Sequence, residues 1–169
     1  MLNIEIKARV SKPGKIREFL VSRNARFVGT DHQVDTYFRT RSGRLKLREG
    51  NIENNLIWYA RESKKGPKTS HVILHPVQES AGLKDILKEA MGILTVVRKK
   101  REIYFIGNVK FHIDQVDSLG SFMEIEAIDK DGSIGKKRLS EQCRGYMKEL
   151  GIGEEDLIRD SYSDLLASE

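Results

Sequence analysis

VKFHIDQVDSLGSFMEIEAID, residues 109–129, is the stretch whose reading decides the fold. In the segment 109–116 apolar and polar residues alternate from Val109 to Asp114, Ser118-Leu119-Gly120 turns the chain, and in the segment 121–129 the alternation resumes from Met123 to Ala127. A period of two marks a strand with two unlike faces. Two such strands joined by a short glycine-containing turn read as an antiparallel hairpin. On the second strand Phe122, Glu124, Glu126 and Ile128 share a face, which puts the two carboxylates about 7 Å apart on the same side. On the first, His112 shares the face of Asp114.

The pattern continues outward in both directions. A long strand from Leu94 to Ile106 carries Arg98-Lys99-Lys100-Arg101 and meets residue 109 through Gly107-Asn108, a strong hairpin turn. At the N-terminus, residues 2–10 place Leu2, Ile4, Ile6, Ala8 and Val10 on one face and Asn3, Glu5, Lys7 and Arg9 on the other. Segment 32–39 groups Gln33, Asp35, Tyr37 and Arg39. Segment 44–48 groups Arg44, Lys46 and Arg48, and segment 56–62 groups Ile57, Tyr59 and Arg61. Thr69–Val77 reads as a further strand, with Lys64–Lys68 before it as a flexible loop. Helices are expected after Ser11-Lys12-Pro13, over Gly82–Gly92, and over Ile134–Leu150 with Gly151 as its stop. Ser161 and Asp164 are spaced to open a short terminal helix. The sum is an α+β fold: an eight-stranded antiparallel β-barrel with flanking helices, one domain over residues 1–169, with segment 134–169 packed on the barrel.

Composition narrows the functions. A chain of 169 residues buries about 70% of its unfolded surface, so no metal or disulfide is required to hold the core. Cys143 is the single cysteine, which rules out an intrachain disulfide, and no Cys/His cluster has zinc-site spacing. There is no apolar run of about 18 residues, and charges appear within the first seven, so neither a membrane span nor a secretory signal is expected. The expected location is the cytoplasm.

The net charge of +5 hides an asymmetry: residues 1–110 carry 23 Lys/Arg against 11 Asp/Glu, whereas residues 111–169 carry 7 against 14. A basic chain can bind nucleic acid, an anionic membrane or a small polyanion. Nucleic acid fits poorly, because basic segments are not interleaved with exposed aromatics and the acidic strand would repel a phosphate backbone. The charged strand faces are either solvated outer faces or the lining of a polar lumen. Separate basic rows (44–48 and 94–106) and an acidic row (121–129) favour the lumen, since a solvated face mixes its signs.

The same segments resemble the CYTH family, the triphosphate tunnel metalloenzymes, and within it the class IV adenylate cyclase branch. Asn3-Ile4-Glu5-Ile6-Lys7 stands where the family has its ExExK strand. HQVDTYF at 32–38, LKLRE at 45–49, LIWYAR at 56–61, VRKKREIY at 97–104 and FHIDQVDSLGSFMEIE at 111–126 are similar to successive blocks of that branch. DLIRDSYSDLL at 156–166 is similar to its ending. The resemblance implies a tunnel that binds a triphosphate with Mg²⁺ or Mn²⁺ and acts on it, with no nucleic-acid or membrane partner, as a monomer or homodimer. It implies that Lys7, Lys46, Arg48, Arg61, Lys99 and Arg101 grip phosphate oxygens and that Glu5, Asp114, Glu124 and Glu126 serve the metal. Lys7, Arg61 and Tyr37 are the implied catalytic groups, Tyr37 either orienting a water or base or playing a structural part. His112 is open between a substrate contact and a structural hydrogen bond.

The implied reaction is conversion of ATP to cyclic AMP and pyrophosphate. The alternatives are hydrolysis of tripolyphosphate, thiamine triphosphate or a nucleoside triphosphate, or binding of polyphosphate or nucleotide without catalysis. Hard divalent cations prefer carboxylate oxygens, and phosphoryl transfer rests on positioning and charge neutralisation, so the chemistry matches these residue types. One position departs from the pattern: the family's first glutamate is Asn3, which offers a carbonyl oxygen without charge.

Overall fold

The structure is a computed structural model and describes residues 1–168. Eight strands form in chain order: β1 (Leu2–Arg9), β2 (Arg26–Phe38), β3 (Arg44–Glu49), β4 (Asn55–Arg61), β5 (Lys68–Pro76), β6 (Ile93–Ile106), β7 (Val109–Val116) and β8 (Gly120–Asp129). They close into one antiparallel barrel in the order β1-β5-β4-β3-β2-β6-β7-β8. Helices α1 (Pro13–Ser22), α2 (Ala81–Met91), α3 (Lys136–Glu149) and α4 (Tyr162–Ala167) complete the chain, with a 3₁₀ turn at Glu154–Asp156. None of these helices is long and apolar enough to cross a membrane.

The last two hairpins have a local cause. Gly107 (φ 57°) opens the β6–β7 turn, and Ser118 (φ 68°) with Gly120 (φ 100°) makes the β7–β8 turn, left-handed conformations in which glycine has no Cβ to clash. In α4 the Ser161 hydroxyl accepts from the Asp164 N–H while the Asp164 carboxylate accepts from the Ser161 N–H, a capping box.

The apolar core lies on the outer side of the barrel wall. Ile4 and Ile6 of β1, Phe111 of β7 and Ile125 of β8 pack beneath Ile16 and Leu20 of α1 and Leu139 and Cys143 of α3. A smaller cluster lies at one end of the barrel, where Tyr162 of α4 meets Tyr37, Val97, Val116 and Phe122. The Cys143 thiol is pushed up to about 12 by burial.

Three local expectations are corrected. β2 starts at Arg26 rather than near residue 32, because a bulge between Phe27 and Gly29 shifts its register against β6 and breaks the alternation that marks a strand. Arg39 does not join Gln33, Asp35 and Tyr37: β2 stops at Phe38, after a second irregularity, and Arg39 is exposed. Lys68 opens β5 instead of belonging to a loop, since its buried ammonium donates to the carbonyl oxygens of Ile158 (3.0 Å) and Arg159 (2.8 Å), a tertiary contact that local composition does not encode.

Candidate functional site

The inner faces of the strands enclose a cavity of about 740 Å³, within the range of small-molecule sites. Strand alternation that buries Ile4 and Ile6 outside necessarily turns Asn3, Glu5 and Lys7 inward, and on β8 the same parity turns Glu124 and Glu126 inward. β1 and β8 are paired with Glu5 opposite Glu126 and Lys7 opposite Glu124, so these side chains make one acidic wall.

The opposite wall is basic and gathered on one anion. Asp35, almost completely buried, accepts from Arg48 Nε (2.9 Å) and Nη2 (2.8 Å) and from Lys99 Nζ (2.8 Å), with Lys46 Nζ at 3.2 Å. Burial alone would raise its carboxyl, but the Arg48, Lys46 and Lys99 charges override that and hold it well below the usual carboxylate range. Burial brings Lys99 down to about 7 in spite of Asp35. A carboxylate that holds three cations keeps them ordered and ready for a ligand carrying more negative charge than itself.

Arg61, Lys7 and Arg101 are also held by carboxylates. Arg61 Nη1 donates to Glu5 (2.6 Å), and Lys7 lies 3.2 Å from Glu124. Arg101 engages Asp114 through Nε (2.7 Å) and Nη2 (2.6 Å) and reaches Glu124 at 3.1 Å. His112 Nδ1 sits 3.0 Å from Glu124, while its Nε2 is buried without a partner. Burial, followed by the Arg101 charge, pushes His112 down to about 4, so it is neutral and donates from Nδ1. Tyr37 has its hydroxyl 3.4 Å from Lys46 Nζ and is pushed up to about 12 by burial and the Asp35 charge, which keeps it a proton donor at neutral pH.

Every residue singled out for phosphate or metal thus faces this one space or stands directly behind it. Asp114 is the one set apart: it is buried and fully engaged by Arg101 and by the Tyr162 hydroxyl (2.7 Å). Arg98 and Lys100 are exposed on the outer face, whereas Lys99 and Arg101 are buried inside.

Several lining residues were not anticipated. Tyr162 closes one end of the cavity: its ring lies 3.7 Å from Lys7 Nζ, and its segment is tied down by Arg44–Asp164 (2.7 Å) and by Ile158 N–H donating to Lys7 O (2.9 Å). Nothing in the pattern of strands points to it, because it comes from the C-terminal helix. Glu53, in the β3–β4 turn, reaches inward to Lys110 (2.6 Å) and Arg48 (3.4 Å). Lys110 was legible, since it shares the parity of His112 and Asp114. The end away from Tyr162 is lined by Met1, Ile73, Leu74, Phe105 and Ile128, of which Met1, Ile73 and Leu74 are exposed.

A closed β-tunnel with facing acidic and basic walls defines the class of the triphosphate tunnel proteins. The CYTH domain family matches residues 1–162, and the chain belongs to that family. A Methanocaldococcus jannaschii protein provisionally named an adenylate cyclase is 28% identical over 174 residues, spanning 98% of each chain. The solved structure of a Pyrococcus horikoshii protein is 26% identical, covers 96% of this chain and 98% of its own, and superposes with a TM-score of 0.80. A Hippeastrum protein described as a provisional adenylyl cyclase with a dominant triphosphatase activity is 15% identical, with 98% and 95% coverage and a TM-score of 0.63. At that identity the likeness is one of fold.

Proposed function

We propose that the tunnel binds a nucleoside triphosphate with a divalent cation and converts ATP to cyclic AMP and pyrophosphate. The observation that carries this reading is the convergence of Lys7, Lys46, Arg48, Arg61, Lys99 and Arg101 on one enclosed space together with Glu5, Glu124 and Glu126. Fixed cations in a low-dielectric cavity stabilise the charge that builds on a leaving pyrophosphate. The apolar end lined by Met1, Leu74, Phe105 and Ile128 suits an organic head group better than a bare polyphosphate.

The donor set fits the divalent metal that the family implies. Glu126 offers a carboxylate and Asn3 a buried carbonyl oxygen, Oδ1, that has no hydrogen-bond partner. Such hard oxygens suit Mg²⁺ or Mn²⁺. Bound there with Glu5 and Glu124, the ion would neutralise phosphate charge. Asp114 instead orients Arg101. In this scheme Lys99, Lys46 and Arg48 hold the phosphate chain against the Asp35 wall, and Lys7 and Arg61 grip it from the acidic side. Tyr37, protonated, donates to a phosphate oxygen rather than acting as base. The ribose 3′-hydroxyl oxygen attacks the α-phosphorus as the bond from that phosphorus to the bridging oxygen of the β-phosphate breaks; the hydroxyl proton leaves with the pyrophosphate, whose charge the same cations neutralise.

The rival is hydrolysis of a triphosphate, with water as nucleophile, an activity described for the Hippeastrum protein of the same fold. Incubation with Mg²⁺ or Mn²⁺ and ATP, GTP, tripolyphosphate or thiamine triphosphate, with products separated by chromatography, decides between them. Cyclic nucleotide with pyrophosphate supports the cyclase; orthophosphate supports the hydrolase; binding without turnover leaves a nucleotide- or polyphosphate-binding module.

A further inference from the structure

Four carboxylates line the cavity, and they are not equivalent. Glu5 is taken by Arg61, Glu53 by Lys110 and Arg48, and Glu124 by Lys7 and Arg101. Glu126 alone has no Lys or Arg partner among the described residues; its one hydrogen bond comes from Asn3 Nδ2, at 2.5 Å. Burial raises its carboxyl. Beside it Asn3, 1% exposed, leaves Oδ1 unpartnered. A bare divalent cation entering this tunnel therefore meets one unpaired carboxylate and one neutral carbonyl, next to the positive charges of Lys7, Arg61 and Arg101. Among the described residues no group of three or more His, Cys, Asp or Glu is arranged to hold a metal ion.

A triphosphate changes that inventory. Its oxygens compete for Arg61, Lys7 and Arg101, and each of these cations that turns to phosphate releases a carboxylate, Glu5 or Glu124, within the same space. The incoming ligand also replaces a locally positive field with a strongly negative one. Both effects favour a divalent cation only after, or together with, the triphosphate. Asp114 does not take part in the exchange, because Tyr162 holds it as well as Arg101. We propose that this protein has no preformed metal site: its ligand is the metal–triphosphate complex, seated by Asn3 Oδ1 and Glu126, with Glu5 and Glu124 recruited as phosphate draws their cations away. The proposal rests on the triphosphate reading of the tunnel and adds an order of binding to it. By linkage, the factor by which triphosphate tightens the metal equals the factor by which metal tightens triphosphate.

The test uses Mn²⁺ and tripolyphosphate on the isotopically labelled full chain, read by paramagnetic broadening of backbone and Asn side-chain signals and by calorimetry. Tripolyphosphate in the presence of EDTA is expected to bind. Mn²⁺ alone is expected to bind at least tenfold more weakly than it does at saturating tripolyphosphate, where broadening centres on β1 and β8 around Asn3 and Glu126. Asn3→Glu adds a charged oxygen beside Glu126 and should tighten Mn²⁺ binding to the triphosphate-free protein at least tenfold. Asn3→Leu should weaken the ternary complex while leaving EDTA-resistant tripolyphosphate binding in place, which also shows that the variant is folded. Tight binding of Mn²⁺ alone to the unaltered protein, or unchanged metal affinity in Asn3→Glu, would overturn the proposal while leaving the tunnel reading intact. Failure of tripolyphosphate to bind under any condition would overturn both.

Discussion

Alternate residues of β1 live in different solvents. Ile4 and Ile6 are 2% and 1% exposed and pack under α1 and α3; Asn3, Glu5 and Lys7, one residue away, face a charged cavity. β8 repeats the division, with Met123, Ile125 and Ala127 outside and Glu124 and Glu126 inside. Small barrels commonly fill their interior with apolar side chains; here the core has moved to the outer surface, under helices. The outer face contributes roughly 1.5–3 kcal/mol per fully buried aliphatic side chain. The inner ion pairs contribute little net stability, because the cost of desolvating both charges offsets their attraction. The apolar core and the charged cavity are thus built by residues of opposite parity on the same strands.

The largest effect should come from the outer side. Phe111→Ala removes a fully buried ring from beneath α3 and should destabilise the fold by about 3–5 kcal/mol. At this chain length that corresponds to a loss of roughly 10 °C in melting temperature. The upward shift that tripolyphosphate produces should survive in this variant. If it disappears, core and tunnel are not separable as described.

Asp35→Asn tests the inner side. It leaves Arg48, Lys46 and Lys99 facing one another without their shared anion, and breaking a buried pair in this way costs about 3 kcal/mol. The deficit should be restored by ligand, since phosphate oxygens take the place of the carboxylate. Thermal scans with and without tripolyphosphate should show a larger ligand-induced shift in Asp35→Asn than in the unaltered protein. An equal or smaller shift would mean that Asp35 builds the fold and does not merely hold cations in place.

Stability and triphosphate binding should respond to pH in opposite directions through the Lys99 ammonium. Its pKa, about 7 in the folded protein, lies below the 10.5 of an ordinary lysine. Between those values the unfolded chain binds more protons, so Lys99 makes the ligand-free fold more stable as pH rises. Phosphate prefers the charged form, so above pH 7 binding must take up a proton. Tripolyphosphate affinity should then fall with pH, by at most tenfold or about 1.4 kcal/mol per unit. Calorimetry in two buffers of different ionisation enthalpy would detect the proton uptake. Lys99→Met should remove this component and leave only the ligand's own titration; an unchanged pH slope would show that Lys99 is already neutral in both states or stays charged throughout.

Much of this architecture was written in parity. Val109–Val116 is read to the residue, and the inward positions Lys7, Lys46, Arg48, Arg61, Lys99, Arg101, Glu124 and Glu126 follow from alternation once a lumen is assumed. Parity fails where the backbone is irregular, as at the Phe27–Gly29 bulge, which hid the first half of β2. It is silent on residues brought in by tertiary closure: Tyr162 from α4, Glu53 from a turn and Lys68 beneath the C-terminal segment. Nor does it say which carboxylates are already spent on cations. Asp114 and Glu126 belong to the same motif, yet one is held by Arg101 and Tyr162 and the other has only an amide for a neighbour.

The smallest effect is expected at Arg98, and it bears on every inward assignment on β6. Arg98 and Lys99 are adjacent and both basic, but Arg98 is exposed while Lys99 is 5% exposed and bonded to Asp35. A one-residue slip in register would exchange them. Arg98→Ala should change stability by no more than about 0.5 kcal/mol, as surface substitutions do, and should leave tripolyphosphate affinity within twofold. Lys99→Ala removes a charge-assisted contact of about 1.5–3 kcal/mol and should weaken binding by tenfold or more. Arg98 still adds to the long-range positive field, so its variant should differ most at low ionic strength and converge with the unaltered protein near 0.15 M salt, where the screening length is about 8 Å. A contact inside the tunnel is screened far less. A difference at Arg98 that persists into high salt would place its guanidinium in the lumen and overturn the register of β6.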